Sequence, residues 1–261
     1  MNLRNLAWLA VLFSLGGCRA LPPAPPPAAV ISAEELTSRL QARQREVQSF
    51  QAKGRLTFLS PERNYSGTGL LKGRAPTTLR VDVLDFLGRS LMSFASDGVE
   101  VQVLFPKEEK LFRGKATPGN LAALIPPAVT LPQVLRLLVG GLPLSRGAPD
   151  SFAYDPSQGD YLLEWRQADG SLKERVWVKA QGLDPFKGEW YGDAGRLRFS
   201  VELADFGGQA PHLPGQITLR TETPKAELRL FYREMQVNPP LTAADLTLQP
   251  PPAVAVVPLD P

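Results

Sequence analysis

Side chains able to do covalent or acid–base chemistry are scarce in this chain. It holds one histidine, His212, and one cysteine, Cys18. A serine nucleophile of the triad type needs a histidine base, and His212 stands in a loop-like Ala-Pro-His-Leu-Pro run with no second histidine to share the work. No G-x-S-x-G, phosphate-loop or H-E-x-x-H pattern occurs. The same two counts exclude a Cys/His zinc site and an internal disulfide. Carboxylates come close together at Glu108-Glu109 and at Asp82 and Asp85. Paired carboxylates can hydrolyse glycosides, but these sit in patterns typical of turns and solvated faces. A net charge of +3, without a basic stripe, does not suit nucleic acid. The expectation is a binding protein rather than an enzyme, with no cofactor and no metal.

The residue with the clearest chemistry is Cys18. Arg4 gives the chain a positive start, and Leu6–Leu15 is an apolar run shorter than the roughly 20 residues that span a bilayer. Leu15-Gly16-Gly17-Cys18 follows, and it resembles a bacterial lipobox. That resemblance implies a signal peptide over residues 1–17, cleavage before Cys18, and diacylglycerol and palmitate-type acylation of the cysteine. One acyl chain holds weakly and several hold firmly, at about 0.8 kcal/mol per buried CH2. By the sorting rules of such lipoproteins, Arg19 in place of aspartate favours the outer membrane, on its periplasmic face. Leu21–Ala29 is a proline-rich tether reaching on the order of 30 Å, so residues 18–31 read as an acylated cysteine and a spacer.

The elements that would stand on this anchor are mostly strands. Leu79, Val81 and Val83 alternate with polar residues, as do Val99, Val101, Val103 and Phe105; a period of two marks half-buried antiparallel strands. The spacing predicts strands over Thr77–Leu84, Arg89–Ser96 and Val99–Phe105. Asp97-Gly98 is an ordinary hairpin turn. Asp85-Phe86-Leu87-Gly88 is not, because Phe86 and Leu87 put large apolar side chains where turns carry polar ones. An apolar tip on a sheet is suited to face a membrane or a partner.

Ser32-Ala33-Glu34-Glu35 fits a capping box opening a helix whose apolar face carries Leu36, Leu40, Val47 and Phe50. Gly67 and Gly69 within a strand predict a bend. Short helices are expected over Asn120–Ile125 and Pro132–Val139, both apolar enough to need burial against a sheet. A second run of strands extends from Tyr161 to Val237, making about twelve strands and three helices in all. Residues 32–238 form the domain. Residues 239–261, rich in proline, read as a disordered tail. The fold class is mainly β (α+β), a strongly curved antiparallel half-barrel with an N-terminal helix and short lid helices over an apolar cavity. Alternation picks Leu79, Val81, Val83, Val101, Val103, Leu121, Leu124, Leu135, Leu138, Leu197 and Phe199 as its lining, although a one-residue slip would invert a strand's faces. A filled core is the alternative.

Four places resemble the LolA/LolB-like lipoprotein-handling family, most closely its outer-membrane receptors: the lipobox at Cys18, the helix running into Gly54-Arg55-Leu56, Leu87-Gly88-Arg89-Ser90 between strands, and Leu135–Pro143, similar to the family's L-R-x-W-x-x-G-L-P helix end. The resemblance spans about Ala33–Val237. Phe86 stands where the family has proline, and Leu138 where it has tryptophan. The family resemblance implies a half-open β-barrel whose helices cover a hydrophobic cavity. It also implies acyl chains as ligands, a LolA-like periplasmic carrier as partner, and a monomer that inserts lipoproteins into the outer membrane. Leu87 falls on the family's protruding, membrane-directed leucine. An envelope scaffold with the same fold, and a carrier of another lipid, remain open.

Overall fold

The computed structural model describes residues 31–62, 64–122, 124–208, 210–249, 252 and 254–259. The leader, Cys18 and the tether through residue 30 lie outside the described residues. Ser32 starts helix α1 (Ala33–Glu46): its hydroxyl accepts the Glu35 N–H at 3.1 Å, satisfying one of the four donors a helix start leaves open. Leu36 and Leu40 are buried beneath it. Phe50 does not share that helical face as expected. It opens strand β1 (Ser49–Leu59), because the period changes to two from Phe50 through Ala52, Gly54, Leu56 and Phe58, all buried.

The sheet continues through β2 (Asn64–Arg74), β3 (Thr78–Leu84), β4 (Ser90–Ser96), β5 (Glu100–Phe105) and β6 (Lys110–Lys115). After two short helices, α2 (Pro118–Leu121) and α3 (Leu131–Leu138), come β7 (Ser151–Asp155), β8 (Asp160–Arg166), β9 (Leu172–Lys179) and β10 (Pro185–Tyr191). The last long strands are β11 (Leu197–Ala204), β12 (Gln216–Glu222) and β13 (Lys225–Val237). Among the described residues fourteen strands form one sheet in the order β14-β6-β5-β4-β3-β2-β1-β13-β12-β11-β10-β9-β8-β7, where β14 is Ala255–Pro258. The order does not return on itself, so the sheet is curled and unclosed. Every pairing is antiparallel except β14 on β6. Two strands exceed the expected twelve: β7, only five residues long, and β14, concealed in the proline-rich tail.

Glycines permit the curl of β1–β3. A Cβ added at Gly67 would lie 2.2 Å from the Leu84 carbonyl oxygen, and one at Gly73 would lie 2.2 Å from the Phe50 ring; no larger residue fits either approach.

The C-terminal segment corrects the expected disordered tail. Helix α4 (Ala243–Leu246) is capped by Thr242, whose hydroxyl accepts the Asp245 N–H. Asp245 Oδ1 lies 2.6 Å from Lys72 Nζ on β2, and Arg80 on β3 donates to the Thr247 carbonyl at 2.8 Å. Leu248 packs with Ala95 and Leu111 in a small cluster separate from the main core. The chain then adds β14 to the edge of β6. Proline content suggests disorder only when apolar anchors are lacking; here Leu246 and Leu248 are both buried.

Candidate functional site

The inner face of the sheet carries the site. Leu79, Val81 and Val83 on β3, Val101 and Val103 on β5, and Phe199 on β11 are buried in one cluster with Leu121, Leu124, Leu135 and Leu138 from the α2–α3 region. Ten of the eleven predicted lining residues are thus brought together. Leu197 is the exception: it is half-buried and outside the cluster. A bulge at Trp190/Tyr191 skips a residue, pairing Tyr191 with Leu197 but Trp190 with Phe199, and such an extra residue breaks the alternation. Val99, expected to lead its strand's inner face, lies in the turn and is exposed.

The middle of the space these residues enclose, between α3 and strands β1, β2, β3 and β13, is filled. Leu124, Ile125, Val134 and Leu138 press on Leu56, Leu71, Leu79, Val81, Leu228 and Leu230, leaving a void of about 20 Å³. Ligand pockets measure roughly 300 Å³ or more, so α3 and the loop before it occupy the place a chain-shaped ligand would take. Leu56, Leu228 and Leu230 join this lining without having been expected there. Alternation along β1 and β13 is the signal that marks them as inward-facing.

The segment leaving α3 is fastened by a ladder of side chains. Tyr232 donates its hydroxyl to the Leu138 carbonyl at 2.7 Å. Gln44 on α1 donates to the Leu142 carbonyl at 2.8 Å, and the Trp190 indole donates to the Pro143 carbonyl at 3.1 Å. Ser145 donates from N–H (3.0 Å) and hydroxyl (2.7 Å) to Glu174 Oε2. The Trp165 indole reaches the Gly147 carbonyl at 3.3 Å. Burial pushes the Glu174 carboxyl up to about 7, with the Ser145 donors opposing that change only in part. Nothing in the sequence pattern announces the ladder as a whole. Its one signal is a carboxylate at an inward position, since Glu174 alternates with Val176 and Val178 on β9.

At the β3–β4 turn the apolar tip stands out. Phe86 is 92% exposed and Leu87 63% exposed. The loop that presents them is built on Asp85. Its Oδ1 accepts the N–H groups of Leu87 (2.9 Å) and Arg89 (3.0 Å), and its Oδ2 lies 2.7 Å from Arg89 Nη2. Burial works against the charged form, but hydrogen bonds from the Arg89 backbone and side chain and from Leu87 outweigh it and hold the carboxyl below its ordinary value. Gly88 takes φ +79 with open space around it, a conformation glycine adopts at little cost.

Of the remaining chemistry-bearing candidates, Glu108 and Glu109 are exposed in the turn before β6, and the others are tied up structurally. Asp82 pairs with Arg80 at 2.9 Å. His212 Nδ1 lies 2.7 Å from Asp184 Oδ1, which Arg43 also contacts at 3.1 Å. Among the described residues no cluster of His, Cys, Asp and Glu could hold a metal ion, and no helix is long and apolar enough to cross a membrane.

No known family profile and no curated protein matches the sequence. Solved structures do match in shape. A LolA superfamily protein from Nitrosomonas europaea superposes with a TM-score of 0.54 at 16% identity, covering 84% of this chain and 99% of its own. A domain provisionally assigned to outer membrane lipoprotein sorting, from Vibrio parahaemolyticus, gives 0.54 at 14% identity over 82% of this chain and 97% of its own. A DUF1329 family protein from Desulfovibrio piger gives 0.53 at 10% identity, covering 85% and 98%. The likeness is one of fold: this chain, an open curled sheet with a few short helices, has a LolA-like fold.

Proposed function

We propose that this chain is a lipid-anchored protein of the periplasmic face of the outer membrane that takes acyl chains into its half-barrel and passes lipoproteins to the membrane. It acts as a carrier and receptor, not an enzyme. Cys18 would bear the anchor, and a LolA-like periplasmic carrier would supply the cargo. The observation that carries the reading is the pairing of a largely apolar inner face, plugged by a short amphipathic helix, with an exposed Phe86-Leu87 tip on a braced loop.

The plug is fastened unevenly, which supports a displaceable role. The ladder from Tyr232 to Trp165 holds the chain after α3. Before α3, Asn120 on α2 donates to the Lys115 carbonyl of β6 at 3.0 Å and Arg198 reaches the Ala128 carbonyl at 3.4 Å, while Leu124, Ile125 and Val129 hold by apolar contact. Apolar contact with the sheet can be exchanged for apolar contact with an acyl chain at little net cost. Helix α3 would therefore swing out about its C-terminal end as a chain enters.

The test is transfer. Full-length protein in outer-membrane-like vesicles is mixed with a lipoprotein held by a LolA-like carrier, and membrane-inserted lipoprotein is counted. The reading predicts transfer that the Phe86→Asp/Leu87→Asp variant loses while retaining its fold. Equal transfer by vesicles without the protein would sink it.

A further inference from the structure

A second cleft lies on the seam between α1 and α3, outside the filled interior. Its volume is about 480 Å³, within the range of small-molecule sites. Phe50, Leu135, Val139 and Leu144 form the apolar part of its floor, beside a polar lining of Gln41, Gln44, Gln48 and Ser49. Three arginines stand around it, each from a different element: Arg45 on α1, Arg136 on α3 and Arg146 on the segment after α3. Among the described residues no aspartate or glutamate lines the cleft.

The charge is unbalanced locally although the chain as a whole is nearly neutral. Most arginines elsewhere have their own carboxylate: Arg80 has Asp82, Arg89 has Asp85, Arg113 has Glu100, and Arg220 has Glu227. Arg45, Arg136 and Arg146 have no carboxylate within 4 Å among the described residues. Converging cations without counter-ions raise the local concentration of anions. A helix C-terminus repels anions, and the end of α1 borders the cleft, but its last two carbonyls are engaged by side chains. The Arg45 carbonyl accepts from the Gln48 side chain, and the Glu46 carbonyl accepts from the Asn238 side chain.

We propose that this cleft binds an acyl-bearing amphiphile with an anionic head, its chain on the Phe50–Leu135–Val139–Leu144 floor and its head among Arg45, Arg136 and Arg146. Arginine suits this task, because its planar fork matches phosphate and carboxylate oxygens. The cleft is open as it stands, so no helix has to move. This separates the inference from interior uptake: either can fail alone.

Native mass spectrometry of the full-length acylated protein, released from a non-ionic detergent, tests it. The probes are dioctanoyl phosphatidylglycerol, dioctanoyl phosphatidylcholine and inorganic phosphate. Exposed charge contacts are individually weak, but three act together here, so the anionic lipid is expected to bind about tenfold tighter than the zwitterionic one. The Arg45→Gln/Arg136→Gln/Arg146→Gln variant should lose that preference with its fold unchanged. The Arg55→Gln/Arg196→Gln control, altered at exposed arginines elsewhere, should keep it. Equal binding of the two lipids, or a preference that survives in the cleft variant, overturns the proposal. Inorganic phosphate competing as well as the anionic lipid would show an anion site without a chain-binding floor, and overturns it too.

Discussion

The hydroxyl of Tyr232, in the sheet, is 2.7 Å from the carbonyl oxygen of Leu138, at the end of the helix that plugs the sheet. Both groups are buried, and burial raises the phenol's pKa well above its usual value, so it remains a donor at any physiological pH. This is the first rung of the ladder about which α3 would pivot. Tyr232→Phe leaves the Leu138 carbonyl buried without that donor, a loss of about 1–3 kcal/mol. Urea unfolding should show it, and hydrogen exchange should quicken in α3 more than in β1 or β13.

Glu174 makes the same segment sensitive to pH. Its folded value of about 7 lies above the 4.5 of an unperturbed glutamate, so the native state binds the proton more tightly than the unfolded chain does. Its contribution is fully present below the unfolded value and is lost as pH rises through about 7. A tenfold difference in proton affinity between the two states corresponds to about 1.4 kcal/mol, so the full change is on the order of 3.5 kcal/mol at most. The urea midpoint should therefore fall between pH 5 and pH 8. Glu174→Gln keeps an acceptor for Ser145 without the charge, and should flatten that slope. A midpoint in the native protein that is level or rises over this range would contradict the assignment.

The tip should separate stability from function. Phe86 and Leu87 touch little of their own sheet, so Phe86→Asp/Leu87→Asp should shift stability by no more than about 0.5 kcal/mol. Vesicle binding by the unacylated protein should drop sharply. Asp85→Ala keeps both apolar side chains but removes the acceptor of the Leu87 and Arg89 N–H groups; it should weaken vesicle binding less than the double replacement does. Sedimentation with vesicles measures both.

Removing residues 239–261 should expose more than a tail. Leu111 and Ala95 lose Leu248, Lys72 loses Asp245, and the edge of β6 loses β14. Unpaired strand edges recruit other chains. The truncated protein is expected to unfold at lower urea concentration and to self-associate, which light scattering after gel filtration would record.

Much of this architecture is legible from periodicity. The alternation of Leu79, Val81 and Val83 marks a strand with one buried face, and the structure buries all three. Asp85-Phe86-Leu87-Gly88 breaks the rule that turns are polar, and the break marks an exposed tip. Less legible are features that depend on pairing across the sheet. Leu197 leaves the core because of a bulge opposite it, which no local pattern shows. The ladder on residues 138–147 joins side chains from α1, β8, β9, β10 and β13, so its members are far apart in sequence. The C-terminal segment reads as disorder because proline dominates its composition, while the contacts of Leu248 with Ala95 and Leu111 are non-local. Whether the inner face is cavity or core depends on where Leu124, Ile125 and Val134 come to rest, and composition cannot tell the two apart.

The most direct measurement is uptake of an acyl chain by the chain beginning at Ala28, purified without detergent. A triacylated lipopeptide is titrated in, and native mass spectrometry and hydrogen exchange are read together. We expect one bound lipopeptide and faster exchange in α3 and the 122–130 loop, with the β-sheet core unchanged. An unliganded mass at saturating lipopeptide, with α3 as protected as before, would mean that the half-barrel is simply a filled core.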